Sequence, residues 1–324
     1  MIPYSELSVL ILILLLLGGL VMLSLGGDLL ARGSASLALA LNVNPVVIGL
    51  TIVAVATSLP ELVTGLIAAG DGEDDLAMGN IVGSNLANVG LILGISALIF
   101  PLKIQARLLR KEVPVLVGVS VLFMIFCLDG LNRWEGGLLL LAMLGYLYFV
   151  TRQAESLPPE EAKEFSPELQ NPIRSMPRCL LFVAIGGVLL WLGAELLVNS
   201  AAVLAEKAGI SRVIVGLTIV AIGTSLPELA ASVAAALRKQ SDIIAGNIVG
   251  SNIFNIVLIG GGVGTTYTLE VHPSLFMLEL PAIIVSSVLL WFIFNTQRQV
   301  VRAEGLILVV LYCVAITVST ILQW

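Results

Sequence analysis

Charge and reactive side chains are scarce in this chain. Of its 324 residues only 12% are charged and 6% aromatic, with three cysteines and a single histidine, His272. Cys127, Cys179 and Cys313 stand singly in apolar stretches, which argues against a disulfide framework or a thiolate metal site and reads them as small core residues. A lone histidine beside Pro273, without a nucleophile and base in evidence, argues against an enzyme. The 16 Lys and Arg are outnumbered by 22 Asp and Glu, so there is no basic excess to suit nucleic acid. Asp71, Glu73, Asp74 and Asp75 fill one short loop and five glutamates lie between 155 and 168, the usual makeup of solvated connections.

Apolar residues, by contrast, make up 58% of the chain, and the mean hydropathy is +1.05. A water-soluble domain cannot hide that much apolar surface, whereas apolar runs of about 20 residues each suffice to cross roughly 30 Å of hydrocarbon as helices. The runs predict an all-α polytopic membrane protein with ten transmembrane helices, near 7–25, 37–69, 76–99, 113–128, 135–150, 179–198, 210–237, 243–263, 275–294 and 303–322. The first run has Glu6 where a signal peptide would carry a basic residue, so it reads as a retained anchor. Lys and Arg crowd onto alternating connections. All but Arg133, Lys207 and Arg212 fall on the first, third, fifth, seventh and ninth. The positive-inside rule makes those connections cytoplasmic and puts both termini on the other side of the cell (inner) membrane.

The chain also matches itself. Residues 49–88 (GLTIVAVATSLPEL, then GNIVGSNLAN) align without a gap to 216–255 (GLTIVAIGTSLPEL, then GNIVGSNIFN), an offset of 167 residues. Each half, 1–151 and 178–324, then holds five spans, joined by a proline- and charge-rich cytoplasmic linker at 152–177. An odd number of crossings forces the halves into opposite orientations, giving two inverted five-helix repeats.

Within each copy a proline and a glutamate sit inside an apolar helix, at Pro60 and Glu61 and at Pro227 and Glu228. Proline removes a backbone donor and kinks the helix, freeing carbonyls near Ala54 and Ala221 that need a donor or a cation. An intramembrane carboxylate costs roughly 2.5 kcal/mol or more, which marks both glutamates as functional. Helical spacing of three and four directs Thr57 and Ser58 to the same spot as Glu61, and Thr224 and Ser225 to that of Glu228. The partner segments add Ser84 with Asn88, and Ser251 with Asn255; Asn85 and Asn252 point about 100° away. Small faces, Gly79 with Gly83 and Gly246 with Gly250, allow close approach to the kinked helices. Carboxylate, hydroxyl, amide and carbonyl oxygens are the ligands that hard cations such as calcium take, and two negative charges balance one divalent ion. Asp28 and Glu195, equivalent under the repeat, lie near helix ends and read as interfacial residues.

TSLPEL followed by GNIVGSN, twice, resembles the signature of the calcium/cation antiporter superfamily, in particular its prokaryotic sodium/calcium exchanger-like members. The resemblance covers essentially the whole chain. It implies exchange of Ca2+ for Na+ or H+ by alternating access, with no covalently bound cofactor, in a protein that lies in the lipid bilayer. It also implies coordination at Thr57, Ser58, Glu61, Ser84, Asn88, Thr224, Ser225, Glu228, Ser251 and Asn255, with carbonyls near Ala54 and Ala221. Well-known sodium/calcium members carry an acid at one of the positions held here by Asn88 and Asn255, and this chain has amides at both. From the residues alone, a cation channel lined by the same oxygens is the competing class.

Overall fold

A computed structural model of the chain describes residues 4–152, 154, 173, 175–209, 223–276, 279–296 and 298–322. The segments used below are α1 (Val9–Leu41), α2 (Pro45–Gly70), α3 (Asp74–Ile99), α4 (Val113–Phe126), α5 (Arg133–Arg152), α6 (Met176–Lys207), α7 (Leu226–Leu237), α8 (Ser241–Thr266), α9 (Glu279–Asn295) and α10 (Arg302–Leu322). Six of them, α1, α2, α3, α5, α6 and α8, are long and apolar enough to cross a membrane. The predicted linker lies largely, and residues 210–222 of the predicted span 210–237 wholly, outside the described residues.

Local chemistry sets the ends. Ser8 caps α1 by accepting from the Ile11 amide at 3.4 Å, and the helix stops where Asn42 turns left-handed (φ 53°) and returns its N–H to Ala38 and Leu39. Asn44 then caps α2 at 3.0 Å, with Pro45 in the first helical position. The apolar run predicted to begin at 37 is therefore broken at 42–44, and α1 extends well past the predicted end at 25. Its 33 residues span about 50 Å, longer than the hydrocarbon is thick, so hydropathy alone cannot find its end.

Helices α1 and α6 pack antiparallel over most of their length through glycines seven apart. A Cβ built on Gly19 would lie 2.7 Å from the Gly193 carbonyl oxygen. One on Gly26 would lie 2.9 Å from both the Gly186 oxygen and the Leu190 nitrogen, and one on Gly33 would lie 3.0 Å from the Cys179 oxygen. These are backbone contacts, so a side chain can be admitted only by moving the helices apart. Gly26→Ala is expected to cost about 2 kcal/mol and to lower the unfolding temperature in detergent by roughly 5 °C. Gly18→Ala, which would meet nothing within 4 Å, should leave that temperature unchanged or slightly raised. Equal shifts would show that the close seam is not what holds the pair.

Helix α8 is the core, with 94% of its apolar window buried. Gly246 and Gly250 let it touch α2 backbone to backbone: their Cβ atoms would fall 2.6 Å from the Val46 oxygen and 2.8 Å from the Leu50 oxygen. The same close approach predicted at Gly79 and Gly83 is not met among the described residues, where neither has an atom within 4 Å. The stretch equivalent to Val46–Leu50 under the repeat, 213–217, lies outside them.

The connections meet in two groups. Gln105 bonds both Asn44 (3.1 Å) and Asp242 (2.8 Å), and Leu102–Lys103 pairs antiparallel with Gln299–Val300, tying together the first, third, seventh and ninth connections. The Lys207 ammonium donates to the Leu7 carbonyl, tying the chain start to the sixth, while Leu131 bridges Leu269 and the Glu270 amide donates to Asp74, tying the second and fourth to the eighth. Midway between the groups, Ser120 on α4 and Ser287 on α9, which are 167 residues apart, hydrogen-bond at 3.2 Å.

Candidate functional site

The two Pro-Glu motifs meet in the interior. Glu61 and Glu228 are each 1% exposed, and their carboxylates lie close enough to feel each other's charge. The Ser58 hydroxyl donates across the molecule to Glu228 Oε1 at 3.4 Å, and Thr57 also lies against that carboxylate. The acid of the second copy is thus held by hydroxyls of the first. Ser58 and Glu61, three apart, share a face of α2, which accounts for the convergence.

Pro60 lies inside α2, which runs as a π-helical turn over Gly49–Val53 before becoming regular. The Thr57 hydroxyl lies within hydrogen-bond distance of the Val53 and Ala54 carbonyls, at 3.1 and 3.3 Å, and of Asn247 Oδ1, at 3.4 Å, and its one proton serves one of them at a time. Ala221 lies outside the described residues; Thr224 is half-buried and Ser225 buried at the entry to α7.

The partner segments lie alongside. Ser84, Asn88, Ser251 and Asn255 are all buried, and Asn88 and Asn255 each open a π-helical turn, Asn88–Ile92 and Asn255–Gly260. The wider turn reorients the next residues, and its appearance in both copies at the same motif residue follows the repeat. The Asn88 amide donates to Asn252 Oδ1 at 3.2 Å, so Asn252, expected from spacing to point away, joins the network. Asn85 instead bonds back to the Ile81 carbonyl at 2.8 Å.

Two further residues belong here that spacing could have found. Asn247 Oδ1 accepts from Thr57 and Ser251, both at 3.4 Å, and its amide donates to Ser232 at 3.3 Å. Asn80 donates to the Glu61 carbonyl at 3.0 Å. Asn80, Ser84 and Asn88 recur every four residues, as do Asn247, Ser251 and Asn255, so each trio forms one stripe of its helix.

Several of these buried atoms have no hydrogen-bond partner among the described residues: both Glu61 oxygens, Glu228 Oε2, Ser84 and Ser225 Oγ, Asn80 Oδ1, and both polar atoms of the Asn255 amide. Buried polar atoms are nearly always paired, and unpaired carboxylate, hydroxyl and amide oxygens are the kind of donor that hard cations take. Among the described residues no three His, Cys, Asp or Glu side chains are placed to hold a metal ion together, so the formal charge here comes from the two glutamates.

The chain is similar to known proteins. The family model described as "Sodium/calcium exchanger protein" matches residues 11–152 and 179–321. The sodium/calcium exchanger MaX1 of Methanosarcina acetivorans is 32% identical over 334 residues, covering 92% of this chain and 95% of its own length. An uncharacterized membrane protein of Methanocaldococcus jannaschii is 34% identical over 302 residues, with 92% and 94% covered. Among solved structures, the sodium-calcium exchanger NCX_Mj superposes with a TM-score of 0.83 at 31% identity, covering 96% of this chain and 99% of that one.

Proposed function

The chain belongs to the sodium/calcium exchanger family, and from that premise we propose that it is a secondary antiporter exchanging calcium for sodium or protons at the pocket between its two Pro-Glu motifs. The observation that carries this reading is the meeting of Glu61 and Glu228, one from each motif copy, among unpaired oxygens in the interior. Glu61, Glu228, Thr57, Ser58, Thr224, Ser225, Ser84, Asn88, Ser251 and Asn255 supply ligands, with carbonyls near Ala54 and Ala221; Asn80 and Asn247 orient them.

The physics favours exchange over leak. Two carboxylates sealed together from water repel each other and have lost their hydration, so the pocket closes readily only around compensating cations. Every transit between the two faces then carries an ion. Alternating access further calls for ten spans in two inverted halves, 1–151 and 178–324, joined by a linker at 152–177. Supporting that arrangement, Ser120 and Ser287, equivalent under the repeat, touch each other as residues do at a two-fold axis. The two groups of connections divide as the basic residues do, which supports placing Asn44, Gln105 and Asp242 on the cytoplasmic side and both termini on the other.

Purified protein in lipid vesicles tests the reading. An outward sodium gradient at fixed pH, or a proton gradient without sodium, is expected to drive saturable calcium uptake that stops when the gradient is collapsed. Calcium uptake under neither gradient would reject antiport, and unitary currents under voltage clamp would replace it with a channel.

A further inference from the structure

A second feature, remote from the ion pocket, lies between α1 and α7. A cleft of about 900 Å³ runs between them, lined by Leu20 and Leu23 on α1 and by Leu229, Val233 and Leu237 on α7, among others. That volume lies toward the upper end of small-molecule sites, roughly 300–1,000 Å³. The two helices run parallel here, because Gly27 packs on Ala230 and Ala234 while Asp28 pairs with Arg238 a turn further along. From Leu20 to Arg32, and from Leu226 to Arg238, the cleft extends about 18 Å at 1.5 Å per residue, close to one leaflet of the bilayer.

Its chemistry is divided end to end. The walls are apolar, whereas one end gathers Arg32, Arg238 and Lys239 around a single acid, Asp28. Asp28 pairs with Arg32 at 3.0 Å and with Arg238 Nε at 3.0 Å, and so holds the two guanidinium groups side by side. The backbone carbonyls at the end of α7 are already engaged: the Lys239 amide donates to Ala236, and those of Arg238 and Gln240 to Ala235. Lys239 itself takes a left-handed turn (φ 57°) and is exposed. The end of the cleft therefore carries a net positive charge that the protein does not neutralise among its described residues.

The repeat supplies an internal comparison. Under the 167-residue offset the positions equivalent to Asp28, Arg32, Arg238 and Lys239 are Glu195, Asn199, Asp71 and Gly72. The opposite face thus presents an amide, an acid and a glycine where this one presents three bases. Alternation of loop charge accounts for basic residues on one side of the membrane; it does not account for their convergence on the mouth of an apolar cleft.

From the apolar walls, the one-leaflet length and the cationic end, we infer that the α1–α7 cleft is a binding site for an anionic phospholipid of the cytoplasmic leaflet. An acyl chain lies along Leu20, Leu23, Leu229 and Val233, and the phosphate sits against Arg32, Arg238 and Lys239. Basic pockets between membrane helices on the cytoplasmic side are suited to acidic head groups, and bilayers supply those lipids there. Because the lipid bridges α1 and α7, it tightens a contact that otherwise rests on Gly27 and the Asp28–Arg238 pair. The leaflet assignment rests on the orientation proposed above; the site itself does not.

Native mass spectrometry of the purified full chain, titrated with phosphatidylglycerol or phosphatidylcholine, tests this. Wild type is expected to retain phosphatidylglycerol at least tenfold more tightly than phosphatidylcholine. Arg32→Gln with Lys239→Gln, which leaves the Asp28–Arg238 pair intact, should erase that preference, and Val233→Trp, filling the cleft, should weaken both lipids. Equal retention of the two lipids by wild type, or an unchanged preference in the double variant, overturns the inference. Displacement of phosphatidylglycerol by millimolar glycerol 3-phosphate would also overturn it, making the cluster a simple anion site. The orientation is read separately, from labelling of Lys239→Cys in a Cys313→Ser background with a membrane-impermeant thiol reagent. Labelling from outside the cell would refute the leaflet and leave the detergent result standing.

Discussion

Glu61→Gln and Glu228→Gln are each expected to reduce gradient-driven calcium uptake by at least about a hundredfold while leaving the protein folded. Each change removes one of two formal charges from a pocket in which both acids are 1% exposed. A buried divalent ion left facing one carboxylate loses on the order of 3 kcal/mol, and about 1.4 kcal/mol corresponds to a factor of ten. Glutamine keeps the shape and an acceptor oxygen but not the charge, and a neutral side chain is cheaper to hold inside the membrane than an acid. Unfolding temperature should therefore stay the same or rise as transport disappears. Calcium uptake within tenfold of wild type in either variant would show that the two acids are not the ion's principal ligands.

Asn255→Asp is expected to make exchange respond to membrane voltage when the unmodified protein does not. Two carboxylates are balanced by one calcium ion or by two monovalent ions, so on the proposed reading the unmodified cycle is expected to carry no net charge across the membrane. Asn255 is fully buried, opens a π-helical turn beside the pocket and has neither amide atom paired among the described residues, so a carboxylate there finds cations instead of protein partners. The third charge calls for a third monovalent ion against each calcium, and one unit of charge then crosses per cycle. Moving one charge through 100 mV is worth about 2.3 kcal/mol, or roughly fiftyfold in the calcium gradient sustained at steady state. Potassium diffusion potentials across vesicles read this directly. A wild-type gradient that shifts with voltage would break the charge balance on which the prediction stands, and a variant that ignores voltage would show that the introduced carboxylate does not act as a third counter-charge.

Much of the site is legible in the chain because its residues are expensive where they stand. A proline and a glutamate inside an apolar helix each cost stability, and their recurrence 167 residues later identifies Glu61 and Glu228 before any coordinates are known. Helical spacing singles out Thr57, Ser58, Ser84 and Ser251, all of them buried. Spacing misjudges Asn252, because the angle of a residue on an ideal helix does not foresee that Asn88 will reach across to it. Asn80 and Asn247 were within its reach, since each stands four residues before a serine of the site on the same stripe, but only the contacts with a carbonyl and hydroxyls of other helices show that they take part.

The sequence by itself determined that the chain lies in a membrane, that it is built twice over, and that each copy commits one acid to the interior. These follow from local costs: hydrocarbon length, a missing backbone donor, a charge without water. Only the tertiary structure decided which oxygens meet, that Ser58 of one copy serves the acid of the other, and that α1 runs far beyond its apolar stretch to pair with α6 through glycines. The cleft between α1 and α7 belongs to the same class, since Arg32 and Arg238 lie far apart along the chain and become one cationic mouth only through Asp28. Contacts of that kind depend on the distance between helices, and helix separation is a property of the packed whole that no single segment encodes.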